Sequence, residues 1–381
     1  MRRKISLYIS LLVLLVISSC GESSSSVDNF NIPVYTPEYS QGFSIWGAEG
    51  MESTVLRVNN PWQGSEAVSK DLFISRNGEK APAGFKGEVI DAPAERVVCM
   101  SSTYVAMLDV IGKVSSVVGV SGLHFITNEY VKENRDKIGD VGYDGNINFE
   151  VLVALDPDIV LIYGVNGSSL METKLKELGI PFAYVGEYVE ELPLGKSEWL
   201  VAVSEIVDSR GEGTEIFREI AGRYNGIKER VSPFSQGGKP KVMVNTPYGD
   251  SWFMASTSSY VARLIDDAGG EYLYKMNDSN ESKTIDMEMA ALLINQADVW
   301  INIDSVNSIA ELSGRYPKFA DAPCVVKGNI YRSDRRSESN GGNDYWESGV
   351  VYPDAVLADL AKAFYPDKMG DVEFTYYRKL E

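Results

Sequence analysis

One phrase occurs twice in this chain and narrows the folds open to it. Asn148-Phe149-Glu150-Val151-Leu152-Val153-Ala154-Leu155-Asp156-Pro157-Asp158-Ile159-Val160 places an acid at a helix start, then an apolar helical face, then an aspartate and a strand. Asp286-Met287-Glu288-Met289-Ala290-Ala291-Leu292-Leu293-Ile294-Asn295-Gln296-Ala297-Asp298-Val299-Trp300 repeats the scheme with two extra residues before the strand. Taken singly, either is a common helix-to-strand passage whose glutamate is favoured in the first turn by the helix dipole. Recurring once per half, 138 residues apart from Glu150 to Glu288, the two point to a duplicated lobe.

The flanking pattern agrees. The first half reads as strands over 96–100, 117–120, 158–163 and 182–185, with helices over 103–111, 149–154 and 169–178 between them. Ser101 and Ser102 stand where the first of these helices needs an N-cap. The second half reads as strands over 241–244, 252–255, 298–303 and 329–332, with helices over 259–268, 286–294 and 354–364. Strands alternating with helices imply largely parallel sheets covered on both faces. The stretch 196–231 stays helical apart from an interruption at 209–213. If continuous, it would be about 50 Å long and would restrain lobe closure. The expected fold is therefore α/β: two Rossmann-like lobes, 95–195 and 237–381, joined by a long helical connector, 196–236. Before them, residues 20–94 read as a Ser-rich tether and a small β appendage with strands near 54–58 and 71–74.

The first nineteen residues read as an address. Arg2, Arg3 and Lys4 precede an apolar run of 13 residues from Ile5 to Ile17, shorter than the roughly 20 needed to span a bilayer. Ile17-Ser18-Ser19-Cys20 then closes the run and resembles a bacterial lipobox, which implies that Cys20 becomes the lipid-modified first residue of the mature chain. The other reading is an ordinary secretory signal with an incidental cysteine.

Charge and composition exclude several functions. Lys and Arg total 36 against 54 Asp and Glu, a formal charge of −18, which becomes −21 once the three basic residues of 1–19 are removed. So acidic a chain does not adhere to nucleic-acid phosphates. One histidine, His124, and three cysteines, Cys20, Cys99 and Cys324, are too few for a zinc cluster or a disulfide scaffold. Cys99 and Cys324 read as small buried hydrophobes rather than a bridge between lobes. Enzymatic signatures are equally thin. Gly195-Lys196-Ser197 has Glu190 where a phosphate loop needs glycine, and no Gly-x-Ser-x-Gly elbow accompanies His124. A secreted hydrolase is the reading these features oppose.

In this order, Arg96-Val97-Val98 with Ser101-Ser102, the two phrases and the helical connector resemble a substrate-binding lipoprotein of an ABC importer. The class is that of the binding proteins for iron chelates, haem and cobalamin, and the likeness covers about 94–366. Gly341-Gly342-Asn343-Asp344-Tyr345-Trp346-Glu347-Ser348-Gly349-Val350-Val351 is similar to a form common in Bacteroidetes, whereas the β appendage departs from the minimal pattern. The resemblance implies a monomer that binds a metal chelate and meets an ABC permease dimer with its ATPase. It also implies a lipid anchor on the periplasmic face of a membrane, and no resident cofactor or protein-bound metal. Position by position, Glu150 and Glu288 match the acids that dock into permease arginines, one on each lobe.

Ligands of α/β lobes bind beyond the carboxyl ends of the strands. The candidates there are Ser102, Thr103, His124, Tyr143 and Tyr163 in the first lobe, and Tyr248, Trp252, Arg332, Arg335, Tyr345 and Trp346 in the second. Guanidinium groups would meet the oxygens of an anionic chelate, and aromatic faces would cover its flat parts. The competing reading makes the serines helix caps, the arginines a solvated charge run and the aromatics core. Siderophore, haem and cobalamin all fit such a cleft, and the cluster Arg332, Arg335 and Arg336 tilts the choice toward an anionic iron chelate.

Overall fold

The computed structural model describes residues 27–143, 145–279, 281–304 and 306–381; the signal segment and Cys20 lie outside them. The N-terminal strands Ile32–Tyr35, Phe43–Gly47, Thr54–Asn59, Ser69–Ser75 and Glu88–Asp91 pair in that order, antiparallel except for the last pair. Successive side chains of a strand face opposite ways, and here both faces are apolar. Phe43, Ile45, Leu56, Val58, Leu72 and Ile74 join the main core, while Val55 and Phe73 join Phe30 and Ala48 in a satellite cluster. The appendage is thus a layer of the molecule.

Five parallel strands form the first lobe's sheet, in the order Phe182–Tyr184, Ile159–Ile162, Val97–Cys99, Val117–Val120 and Gly139–Asp140. Ile159–Ile162 is buried on both faces, as a central parallel strand covered by helices must be. The second lobe pairs Lys241–Val244 in parallel with Glu271–Tyr272 on one side and Val299–Ile301 on the other. A parallel bridge from Trp300 to Ile330 extends it, and Ser251–Met254 forms an antiparallel pair with Lys283–Asp286. Cys99 and Cys324 are both buried and unbridged. No helix among the described residues is long and apolar enough to cross a membrane.

The connector differs from the continuous helix expected. It comprises Pro193–Ile206, starting on a proline that presets the first turn, and Arg210–Val231, which is about 33 Å long at 1.5 Å per residue. Asp208 between them adopts a left-handed backbone with φ 54°. Gly211 and Gly213, which marked the interruption in the sequence, lie inside the second helix. Gly213 is required by close approach, since a Cβ there would stand 2.0 Å from the Ser204 hydroxyl oxygen.

Three glutamates fasten the appendage to this connector. Glu198 accepts hydrogen bonds from the Tyr35 hydroxyl at 2.8 Å and from the backbone amides of Glu38, Tyr39 and Ser40. Two helical turns further along the same face, Glu205 meets the Thr54 hydroxyl at 2.5 Å and the guanidinium groups of Arg76 and Arg210. Glu190, ahead of the helix, accepts from the Ser40 hydroxyl, the amides of Gln41 and Gly42, and the Trp199 indole.

Candidate functional site: the seam between the lobes

Two segments cover the carboxyl edge of the first lobe's sheet. Over Ile159–Ile162 and Phe182–Tyr184 lies the appendage loop 60–65. The Gln63 amide donates to the Val165 carbonyl at 3.0 Å, and the Trp62 ring packs on Tyr184 with centroids 5.5 Å apart. A Cβ on Gly164 would lie 3.1 Å from Trp62, so the loop sits directly on the residues that follow the strand. Over Val97–Cys99 and Val117–Val120 lies 338–347, which reaches across from the second lobe. Thr103 Oγ1 donates to the Trp346 carbonyl at 3.2 Å, Asn340 Nδ2 to the His124 carbonyl at 2.7 Å, and the Thr127 amide to Glu347 at 2.9 Å. Lys132 and Glu338 add an ion pair at 2.6 Å.

Between the appendage and the lobes is a chamber of about 650 Å³, within the usual range for ligand pockets. Its walls include Gln41 and Trp62 of the appendage, Tyr188 of the first lobe, Lys196 of the connector, and Ser258 and Tyr260 of the second lobe. Lys196 Nζ donates to the carbonyls of Glu187 at 2.7 Å and Tyr188 at 3.0 Å, and lies 5.8 Å and 5.4 Å from the Tyr188 and Tyr260 ring centroids. Burial lowers the ammonium pKa, against the pull of Glu187. It pushes the Glu187 carboxyl up to about 7. The arrangement offers a partly desolvated cation flanked by aromatic faces.

The residues expected to contact ligand separate into groups. Ser102 opens the helix Ser102–Val110, whose cap is Ser101, and Thr103 is buried beneath the Trp346 carbonyl. His124 is exposed and packs on the Phe125 ring. Tyr143 stands beside Gly122, and Tyr163 lines a second pocket with Phe149 and Leu170. Tyr248 is 79% exposed at the tip of a hairpin, and Trp346 is 59% exposed on top of the buried Tyr345 ring. Trp252 corrects the expectation: it is fully buried against Trp300 and Phe319, with its indole N–H donated to the Val244 carbonyl, because its strand turns it inward. Tyr345 is likewise enclosed, under Tyr376 and Tyr377. Arg332 is spent on the Val306 carbonyl, Asn307 and Asp334, and Arg336 on Asp344, so the arginine cluster offers only Arg335 as an exposed guanidinium making no side-chain hydrogen bond or ion pair among the described residues, although its charge is felt by Asp359. No group of three or more His, Cys, Asp or Glu side chains is placed to hold a metal among the described residues.

Glu150 and Glu288 occupy matching places. Each is the exposed second residue of a helix, Phe149–Ala154 and Met287–Ile294, capped by Asn148 and Asp286 respectively. The duplicated phrase thus folds the same way twice.

Residues 97–335 match the model of a family described as periplasmic binding protein. The chain belongs to that family. This binding protein is 29% identical over 337 residues to an uncharacterized lipoprotein of Methanocaldococcus jannaschii, covering 81% of this chain and 78% of the relative. A second uncharacterized lipoprotein of that organism is 23% identical, covering 83% and 82%. Among solved structures, a periplasmic heme-binding protein of Pseudomonas aeruginosa superposes with a TM-score of 0.56 at 18% identity, over 72% of this chain and 94% of that one. A protein of an ABC-type Fe3+-hydroxamate transport system from Saccharomonospora viridis gives 0.54 at 17%, over 72% and 94%. At such identities these likenesses show the fold alone, two α/β lobes. Lys196, Tyr188, Tyr260 and Trp62 are the wall residues that sequence reasoning missed.

Proposed function

We propose that the chain is an extracytoplasmic solute-binding lipoprotein, monomeric and anchored through Cys20 on the periplasmic side. It delivers a metal chelate, an iron siderophore or haem, to the permease of an ABC importer. Residues 95–195 and 237–381 serve as its lobes, and Glu150 and Glu288 as its docking acids. The observation that carries this reading is the open chamber at the lobe seam of a chain that belongs to the periplasmic binding protein family. The matched exposure of Glu150 and Glu288 on separate lobes supports docking, because two rigidly held carboxylates fix an orientation and steer encounter. The lipoprotein names of the archaeal relatives support the anchor. The test is a calorimetric titration of the mature chain with a ferric trihydroxamate, haemin and cyanocobalamin. Micromolar or tighter binding of the trihydroxamate or of haemin is expected. Binding of cyanocobalamin alone would move the protein to cobalamin uptake, and binding of none of the three would end the chelate reading.

A further inference from the structure

The family pattern builds a ligand seam from two lobes, and this chain adds a third element to it. Loop 60–65 of the N-terminal sheet lies on Gly164 and Gly186, the residues beyond two strand ends of the first lobe. Trp62 and Gln41 line the chamber together with Tyr188 of the first lobe and Tyr260 of the second. The loop is held in place by the glutamates that grip Tyr39, Ser40, Gln41 and Gly42. Loop 60–65 is itself closed by paired bonds between Asn60 and Val68.

The chamber's chemistry is polar and nearly balanced in charge. Among the described residues, the Gln41 amide, the Arg263 guanidinium and the Tyr188 and Tyr260 hydroxyls make no hydrogen bond within the protein. Lys196 spends its two bonds on main-chain carbonyls and keeps a third N–H. Against the cations Lys196 and Arg263 stand Glu191, bonded to Ser258, and Glu281; Glu190 is occupied by the appendage. Gln41 and Arg263 are exposed, Tyr188 is half exposed, and Tyr260 and Lys196 are partly buried, so the chamber presents open donors, some of them partly desolvated, that a ligand can satisfy.

From this we infer that the N-terminal sheet is a wall of the binding site, and that the three-walled chamber selects a neutral, oxygen-rich, hydrogen-bonding chelate over strongly anionic ones. The inference rests on the chelate reading above, and its test separates the two. Calorimetry with a neutral ferric trihydroxamate compares the mature wild type with Trp62→Ala, which removes the wall, and with Gln41→Trp, which fills the chamber from an exposed position whose side chain holds nothing. Each variant should weaken binding at least 10-fold, while Trp346→Ala, on the other covering, should stay within about 2-fold. A ferric tricatecholate, which is strongly anionic, should bind the wild type at least 10-fold more weakly than the trihydroxamate. Unchanged affinity in both appendage variants, with circular dichroism showing intact folds, overturns the third wall and leaves the chelate reading standing. Should the trihydroxamate not bind, a crystal structure of the protein purified from its host decides. A non-chelate ligand against Trp62 keeps the chamber and ends the chelate reading; density against Trp346 instead, or none, overturns the chamber.

Discussion

The two coverings of the first lobe's edge are built on opposite principles. Loop 60–65 belongs to a sheet gripped by Glu190, Glu198 and Glu205, whose oxygens are filled by backbone amides, hydroxyls and guanidinium groups. Segment 338–347 belongs to the second lobe and touches the first through a few separate contacts, chiefly Thr103, His124, Thr127 and Lys132. The first covering moves with its lobe; the second spans the seam and moves only if its bonds break. A binding protein with both has one fixed wall and one latch.

The comparison breaks most visibly at Glu198. Glu198→Ala strands three backbone amides and a tyrosine hydroxyl, so denaturant unfolding should show a loss above about 3 kcal/mol. Lys132→Ala with Glu338→Ala removes one part-exposed pair and should cost under about 1 kcal/mol. Equal losses in the two variants would mean that the appendage is no better fixed than the latch.

Acid titration should sharpen the contrast, because one carboxylate on each side is shifted in opposite directions. At the latch, burial outweighs the Thr127 amide bond and lifts Glu347 to about 7. Its folded value lies above the unfolded one near 4.5, so its contribution is fully present below about pH 4.5 and is lost as pH rises through 7. Burial works against Glu172, which faces the appendage from the first lobe's helix Leu170–Leu178, but bonds from Lys176, Tyr184 and the appendage's Lys70 outweigh it and hold the carboxyl at about 2. That contribution is present above about pH 4.5 and fades as pH falls toward 2. Hydrogen exchange should therefore show 338–347 loosening between pH 5 and 8 while 59–65 loosens only below pH 4. Glu347→Gln should abolish the first trend. Parallel profiles for the two segments would contradict the assignment.

The smallest effect on either covering is expected from Glu150→Ala combined with Glu288→Ala. Both residues are exposed and hold no structural bond of their own side chain among the described residues. Stability should change by less than about 0.5 kcal/mol and ligand affinity not at all, while uptake by cells carrying the importer falls. A loss of affinity with the fold intact would move these acids into the binding site.

Much of this architecture was legible in the sequence because it depends on local pattern. The strands Val117–Val120 and Lys241–Val244 and the helix Phe149–Ala154 fall where periodicity places them. What pattern missed depends on partners distant in the chain. The glycines at 211 and 213 read as a helix break, but the turn is made at Asp208, and Gly213 serves helix packing. Arg332 looked like part of a ligand cluster because nothing in its own segment shows that Val306 and Asn307, some 25 residues back, would hold it alongside Asp334. Trp252 was placed at the cleft by its nearness to a strand end, yet strand alternation turned it inward. Lys196, dismissed as part of a failed phosphate loop, became a chamber wall only through the tyrosines from elsewhere that flank it. Trp62 and Gln41 carried no signal, since their role comes from the glutamates of another element.

The order in which the chain is made bears on when the site exists. The latch joins Thr103 to Trp346, 243 residues apart, and the salt bridge from Lys70 to Glu172 spans 102. Closing loops of that length costs entropy before any contact repays it, so such contacts form late. A chain emerging N-terminus first can complete the appendage wall once the glutamates of 190–205 have arrived, but the latch must wait for the last tenth of the sequence. Until then the seam is open on one side, which makes ligand capture a property of the finished protein and not of any partly made one.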